Sequence, residues 1–150
     1  MKTPILSLVA ALLLGVIQVD AQCTQKVAEC NDVLAGFERL EGKYYRSELF
    51  PYEFARLKLT FYHDKVYRLA PCGQSKAGSP LIFNLYDKAG ILVFSSKDDP
   101  KPHYDFACGV TGYFTLVAGY EQGGGCAAIL FGQLDHEKAA ARPDITPRKF

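Results

Sequence analysis

Residues 55–62 read ARLKLTFY, in which Leu57, Leu59 and Phe61 alternate with Arg56, Lys58, Thr60 and Tyr62. A period of two places the first set on one face of an extended strand and the second on the other, so one face is apolar and the other wet. The rhythm returns downstream. Residues 66–71 read as the hairpin partner of this strand, across a His63-Asp64-Lys65 turn. Leu81, Phe83 and Leu85 share a face over residues 81–86. Asp87-Lys88-Ala89-Gly90 then supplies turn chemistry: an aspartate that accepts local hydrogen bonds and a glycine free to take positive φ. Strands at 91–95, 103–108, 112–120 and 126–132 complete the series, joined by polar or glycine-rich links. With one more strand in the aromatic stretch 43–54, about seven or eight short strands predict an all-β fold. The expected architecture is an antiparallel β-sandwich or jelly roll over residues 43–134.

Upstream of the strands the period changes. Thr24 is an N-cap candidate, and Val27, Cys30, Val33, Leu34, Phe37 and Leu40 recur at steps of three and four. That spacing predicts one amphipathic α-helix within residues 22–42, packed on the sandwich, with Gly42 at its end. Downstream, DHEKAAARPDITPRKF (135–150) has no periodicity and reads as a disordered tail.

Residues 1–21 read as a signal peptide. Lys2 provides the positive n-region, Ile5 to Val19 is nearly all apolar, and Val19-Asp20-Ala21 fits a cleavage site. The apolar run of about 15 residues is shorter than the roughly 20 that a membrane span requires. Cleavage after Ala21 leaves no membrane span and keeps the formal charge at +1, because Lys2 and Asp20 leave together. A field this weak is not the footprint of a nucleic-acid binder. The expected location is outside the cytoplasm: periplasmic, cell-surface or secreted.

Export makes disulfides available to the five cysteines, Cys23, Cys30, Cys72, Cys108 and Cys126, and the odd count leaves one thiol over. In a continuous helix Cys23 and Cys30 stand about 10 Å apart along the axis. A disulfide needs Cα atoms within about 7 Å, which argues against that pair. In a simple meander Cys108 and Cys126 lie at opposite ends of the sheet. Cys72 and Cys108 both end strands and form the candidate disulfide.

Constellations that carry chemistry are scarce. His63 lies in a turn, His103 opens a strand and His136 falls in the tail, none with a ligand partner at a recognised spacing. The chain contains no C-x-x-C, H-E-x-x-H, G-x-S-x-G or phosphate-binding glycine loop. His63 beside Asp64 reads as two solvated turn residues. The triple glycine 123–125 lacks the Lys and Ser/Thr that phosphate binding demands. Asp87, Asp98, Asp99 and Asp105 are candidates for a calcium site at one end of a sandwich, although their spacing matches no calcium loop. Tyr44, Tyr45, Phe50, Tyr52, Phe54, Tyr62 and Tyr67 form the richest aromatic cluster. Flat rings of this kind serve either as half-buried strand residues or as a carbohydrate-stacking platform.

Five stretches, taken in order, carry a resemblance. They are Val66-Tyr67-Arg68-Leu69-Ala70-Pro71-Cys72, Leu81-Ile82-Phe83-Asn84-Leu85-Tyr86-Asp87, and Tyr104-Asp105-Phe106-Ala107-Cys108 followed by Thr111-Gly112-Tyr113-Phe114 and Gly125-Cys126-Ala127-Ala128-Ile129-Leu130. In this order they resemble small exported proteins of Bacteroidota-type bacteria. More remotely they are similar to bacterial pre-peptidase C-terminal and GOLD-type sandwiches. The resemblance covers roughly residues 43–132, and each of its motifs is a folding motif. It implies an accessory, non-catalytic binding or secretion role and carries over no catalytic residue.

The sequence therefore points to an exported non-catalytic module, binding a glycan or an envelope or extracellular protein, or serving a structural role, with no cofactor expected. Two alternatives follow from the residues. One is a small secreted hydrolase using His63 or His103 with Asp105, and the other is a calcium-stabilised adhesion module.

Overall fold

Alternation does its expected work: the chain is a β-sandwich of two sheets. A computed structural model describes residues 23–40 and 45–150. The export signal read in residues 1–21 and the aromatic Tyr44 lie outside the described residues. Strands β1 (Glu38–Arg39), β2 (Tyr45–Leu49), β4 (Lys65–Ser75), β7 (Tyr104–Ala107), β9 (Gly125–Asp135) and β10 (Arg148–Lys149) form a six-stranded sheet. Its order is β1-β9-β4-β7-β10, with β2 alongside β1 on the same flank of β9. Strands β3 (Phe54–Phe61), β5 (Ile82–Tyr86), β6 (Leu92–Ser95) and β8 (Gly112–Gly119) form a four-stranded sheet of order β3-β8-β5-β6. All pairings are antiparallel except β10 with β7.

Between the sheets lies the main core. Leu69, Phe106 and Ile129 from one sheet meet Phe83, Leu85 and Leu116 from the other, all with no exposure. The Asp87 turn forms as its residue types require. Asp87 Oδ1 accepts from the backbone N–H groups of Ala89 and Ile91, each at 2.9 Å, and Gly90 takes φ 80°.

Strand positions follow the sequence reading closely, whereas pairing does not. The segment 66–71 is not the hairpin partner of the first strand. β3 and β4 belong to opposite sheets, and the link at residues 62–64 carries the chain across the sandwich. The reason lies in the core. Phe61 and Tyr67 both point inward and stack face to face, with ring centroids 4.5 Å apart, so the two strands oppose each other instead of lying side by side. β3 pairs with β8 over its whole length.

Both chain ends also depart from expectation. The single helix over 24–40 is instead α1 (residues 23–29), a 3₁₀ turn (Asn31–Leu34) and then β1. Gly36, at φ 80°, ends the helical path, and Phe37 turns onto the six-stranded sheet. The apolar stripe keeps its purpose, since Val27, Leu34 and Phe37 are all buried. The region 135–150 is not a disordered tail. It forms α2 (His136–Ala140), buries Ala139 and Ile145, and returns as β10 beside β7. Phe150 stacks on Phe106 at 5.3 Å, so this region contributes to the core through isolated residues that leave no period in the sequence.

The candidate disulfide Cys72–Cys108 is not formed. Cys30 pairs with Cys72, and Cys23 with Cys126. Cys72 points outward from β4, toward the α1 side, whereas Cys108 packs in the main core between the sheets, so the two thiols lie on opposite faces of the six-stranded sheet. Burial pushes the Cys108 thiol up to about 11, which leaves little reactive thiolate. Among the described residues no helix is long and apolar enough to cross a membrane.

Candidate functional site

The outer faces of the two sheets are treated differently. That of the six-stranded sheet is covered by α1, the 3₁₀ turn and the segment around α2, which pack on Ala70, Ala128, Leu130 and Val66. On the four-stranded sheet the outward side chains border a cleft of about 530 Å³.

Register builds this cleft. Arg56 of β3, Val117 of β8, Asn84 of β5 and Ser95 of β6 form one row across the sheet. Phe54, Gly119 and Ile82 form the next. Gly119 is what lets Phe54 lie down: a Cβ there would stand 2.5 Å from the Phe54 ring. The ring thus rests against the β8 backbone and walls one end of the cleft. Tyr52 stands above it, 88% exposed. Its backbone sits at φ 66°, a left-handed conformation costing a non-glycine residue roughly 1–2 kcal/mol. The turn that imposes this is closed twice: Glu53 N–H donates to Phe50 O at 3.0 Å, and Phe50 N–H donates to the Glu53 carboxylate at 2.8 Å. Tyr86, from β5, contributes a third ring to the lining.

Between the rings the lining is polar. Lys97 and Glu121 neutralise each other across the cleft edge at 2.6 Å. Arg56 is exposed and makes no hydrogen bond or ion pair among the described residues. Asn84 Oδ1 is buried and likewise has no hydrogen-bond partner among them. A buried acceptor left unsatisfied costs about 1–3 kcal/mol.

The residues singled out by sequence are scattered. His63 is exposed, with Nδ1 3.4 Å from Thr111 Oγ1, and ties together two of the links that cross between sheets, β3–β4 and β7–β8. His136 opens α2 in solvent. His103 is half-buried, and burial, followed by the nearby Arg68 charge, holds its pKa below the ordinary histidine value. Its proposed companion Asp105 is committed elsewhere, with both carboxylate oxygens held by Arg68 at 2.7 Å. Nor do the four aspartates converge. Asp87 serves its turn, Asp99 accepts from Lys101 and Arg148, and Asp105 is buried with Arg68. Among the described residues no three His, Cys, Asp or Glu side chains come together as metal ligands.

The aromatic cluster divides. Tyr67 is core and Tyr45 half-buried. Tyr52 and Phe54 line the cleft, Phe50 is exposed outside its lining, and exposed Tyr62 sits in the 62–64 link. Sequence reasoning missed Asn84 and Tyr86. Both occupy the wet positions of a strand whose alternation was recognised, but their nearness to Arg56 depends on the order β3-β8-β5.

No family model matches this chain, and no curated protein matches it either.

Proposed function

We propose that this protein is an exported, non-catalytic binding module that holds a glycan in the cleft on the outer face of its four-stranded sheet. The observation carrying this reading is the set of rings, Tyr52, Phe54 and Tyr86, that lines the cleft together with the polar side chains of Arg56 and Asn84. A sugar ring has an apolar face for aromatic stacking and a rim of hydroxyls for the polar groups between the rings. The strained and highly exposed Tyr52 supports the same use, since such backbone outliers concentrate where a side chain must be presented. Two disulfides fit an oxidising compartment. The resemblance to accessory sandwich domains points to the same kind of role.

Titration calorimetry of the oxidised protein against a panel of neutral and acidic oligosaccharides tests the proposal. One class is expected to bind, and Tyr52→Ala or Phe54→Ala should each weaken it about five- to thirty-fold, the range for a central interface residue. Tyr62→Ala and Tyr113→Ala, exposed aromatic substitutions outside the cleft lining, should leave affinity unchanged. Equal losses from both pairs, or a panel without any binder, would overturn the assignment.

A further inference from the structure

The charges of the cleft say more about the ligand than its rings do. We infer that the glycan is carboxylated, a chain containing uronic acid, and that Arg56 receives its carboxylate; this rests on the glycan reading above. Of the charged groups lining the cleft, Lys97 and Glu121 cancel at 2.6 Å and leave Arg56 alone. Lys58, two residues along β3 and therefore on the same face, is exposed and also without a partner among the described residues. The face thus carries two uncompensated cations.

Arginine suits a carboxylate for a geometric reason. Its planar fork donates two parallel N–H bonds to the two oxygens, which fixes orientation as well as charge. Arg56 and Asn84 occupy the same row two strands apart, roughly 9.5 Å at the ordinary strand spacing. Between them only Val117 projects, an apolar floor flanked by a cation and an amide. A sugar acid lying across the row presents its carboxylate to Arg56, a hydroxyl to the Asn84 side chain and its apolar face to the floor. Two cations are too few for a densely sulfated chain, whose recognition needs a broad basic surface, and they match one carboxylate per sugar. β3 is also an edge strand, so a long chain can run past Arg56 and Lys58 without meeting a neighbouring strand.

Matched probes separate this inference from the reading beneath it. Oligogalacturonate and oligomannuronate, each with its fully methyl-esterified form, keep rings and hydroxyls constant while removing charge. A heparin oligosaccharide supplies the sulfated arm. Wild-type protein is expected to bind at least one free-acid oligomer ten-fold or more tighter than its ester, with affinity falling as salt rises. Arg56→Gln should erase that preference, and its unchanged melting temperature would show that the fold is intact. Equal binding of acid and ester keeps the glycan cleft and overturns the carboxylate. A preference for heparin over every uronate overturns it as well. If no oligosaccharide binds, both readings fall.

Discussion

Each sheet places an arginine on its outer face, and the fates of Arg68 and Arg56 summarise how the two halves of the molecule differ. Arg68, on β4, is 5% exposed. It donates to both oxygens of Asp105 at 2.7 Å and to Val33 O at 3.2 Å, and it stacks 4.2 Å from the Phe37 ring centre. Val33 and Phe37 come from the N-terminal covering segment, so that segment seals the ion pair. Arg56, on β3, has no such partner among the described residues and faces solvent beside a cleft. One face spends its polar groups on internal order. The other leaves the Arg56 side chain unpaired among the described residues.

Breaking the ion pair should have the largest effect on this contrast. Asp105→Ala strands a buried guanidinium, a loss of about 3–5 kcal/mol, read as a lower urea midpoint or melting temperature. Replacing both partners, as Arg68→Met with Asp105→Leu, should cost far less, because a well-packed apolar pair needs no compensation. Arg56→Gln on the opposite face should leave stability within about 0.5 kcal/mol of wild type. If Asp105→Ala and Arg56→Gln proved equally mild, the covered face would not be the ordered half that its contacts describe.

Next in size are the staples of the cover. Cys23–Cys126 spans 103 residues and Cys30–Cys72 spans 42, and both anchor the N-terminal segment to the six-stranded sheet. Losing either, as a Cys→Ala pair, should cost about 2–4 kcal/mol. The longer loop should lose somewhat more, because closure entropy grows slowly with length. Affinity for the cleft ligand should not move in either variant while the protein stays folded. A loss of binding at temperatures well below unfolding would mean that the two faces are coupled, which would sharpen the comparison into a mechanism.

The same contrast explains what could be read in advance. Strands such as Phe54–Phe61 and Ile82–Tyr86 were legible because one face of each is wet, and a half-wet strand writes its alternation into the sequence. β9 was legible in position, but its run Ala127-Ala128-Ile129-Leu130-Phe131 is buried on both faces. A continuous apolar run is the signature of a strand covered twice, and here it announces the N- and C-terminal cover. Sheet partners were not legible. The 62–64 link has the residue types of a hairpin turn yet bridges two sheets, since periodicity records which face a side chain takes and not which neighbour its strand finds. The candidate site shares that limit. Tyr52 and Phe54 were visible as members of an aromatic cluster that read either as half-buried strand residues or as a stacking platform, whereas the row joining Arg56 to Asn84 exists only once β8 has come between β3 and β5.

His103 provides the smallest test, at the rim of the covered face. Burial and then the Arg68 charge depress its pKa in the folded protein relative to the ordinary value of 6.5. The unfolded chain therefore takes up a proton near pH 6.5 while the native state still resists it. The native state consequently loses stability as pH falls from about 6.5 toward the lower folded value, and this site adds no slope above that window. Asp105 pulls in the opposite sense and Lys101 in the same sense as Arg68, each by less than burial does. His103→Asn should flatten unfolding midpoints between neutral and mildly acidic pH. It should leave the affinity of the cleft, whose lining does not include His103, unchanged throughout. An undiminished slope in His103→Asn would assign the acid sensitivity to some other group. A wild-type slope of the opposite sign would mean that Asp105 outweighs burial and the Arg68 charge together at His103, contrary to the tight Arg68–Asp105 pairing that defines this half of the molecule.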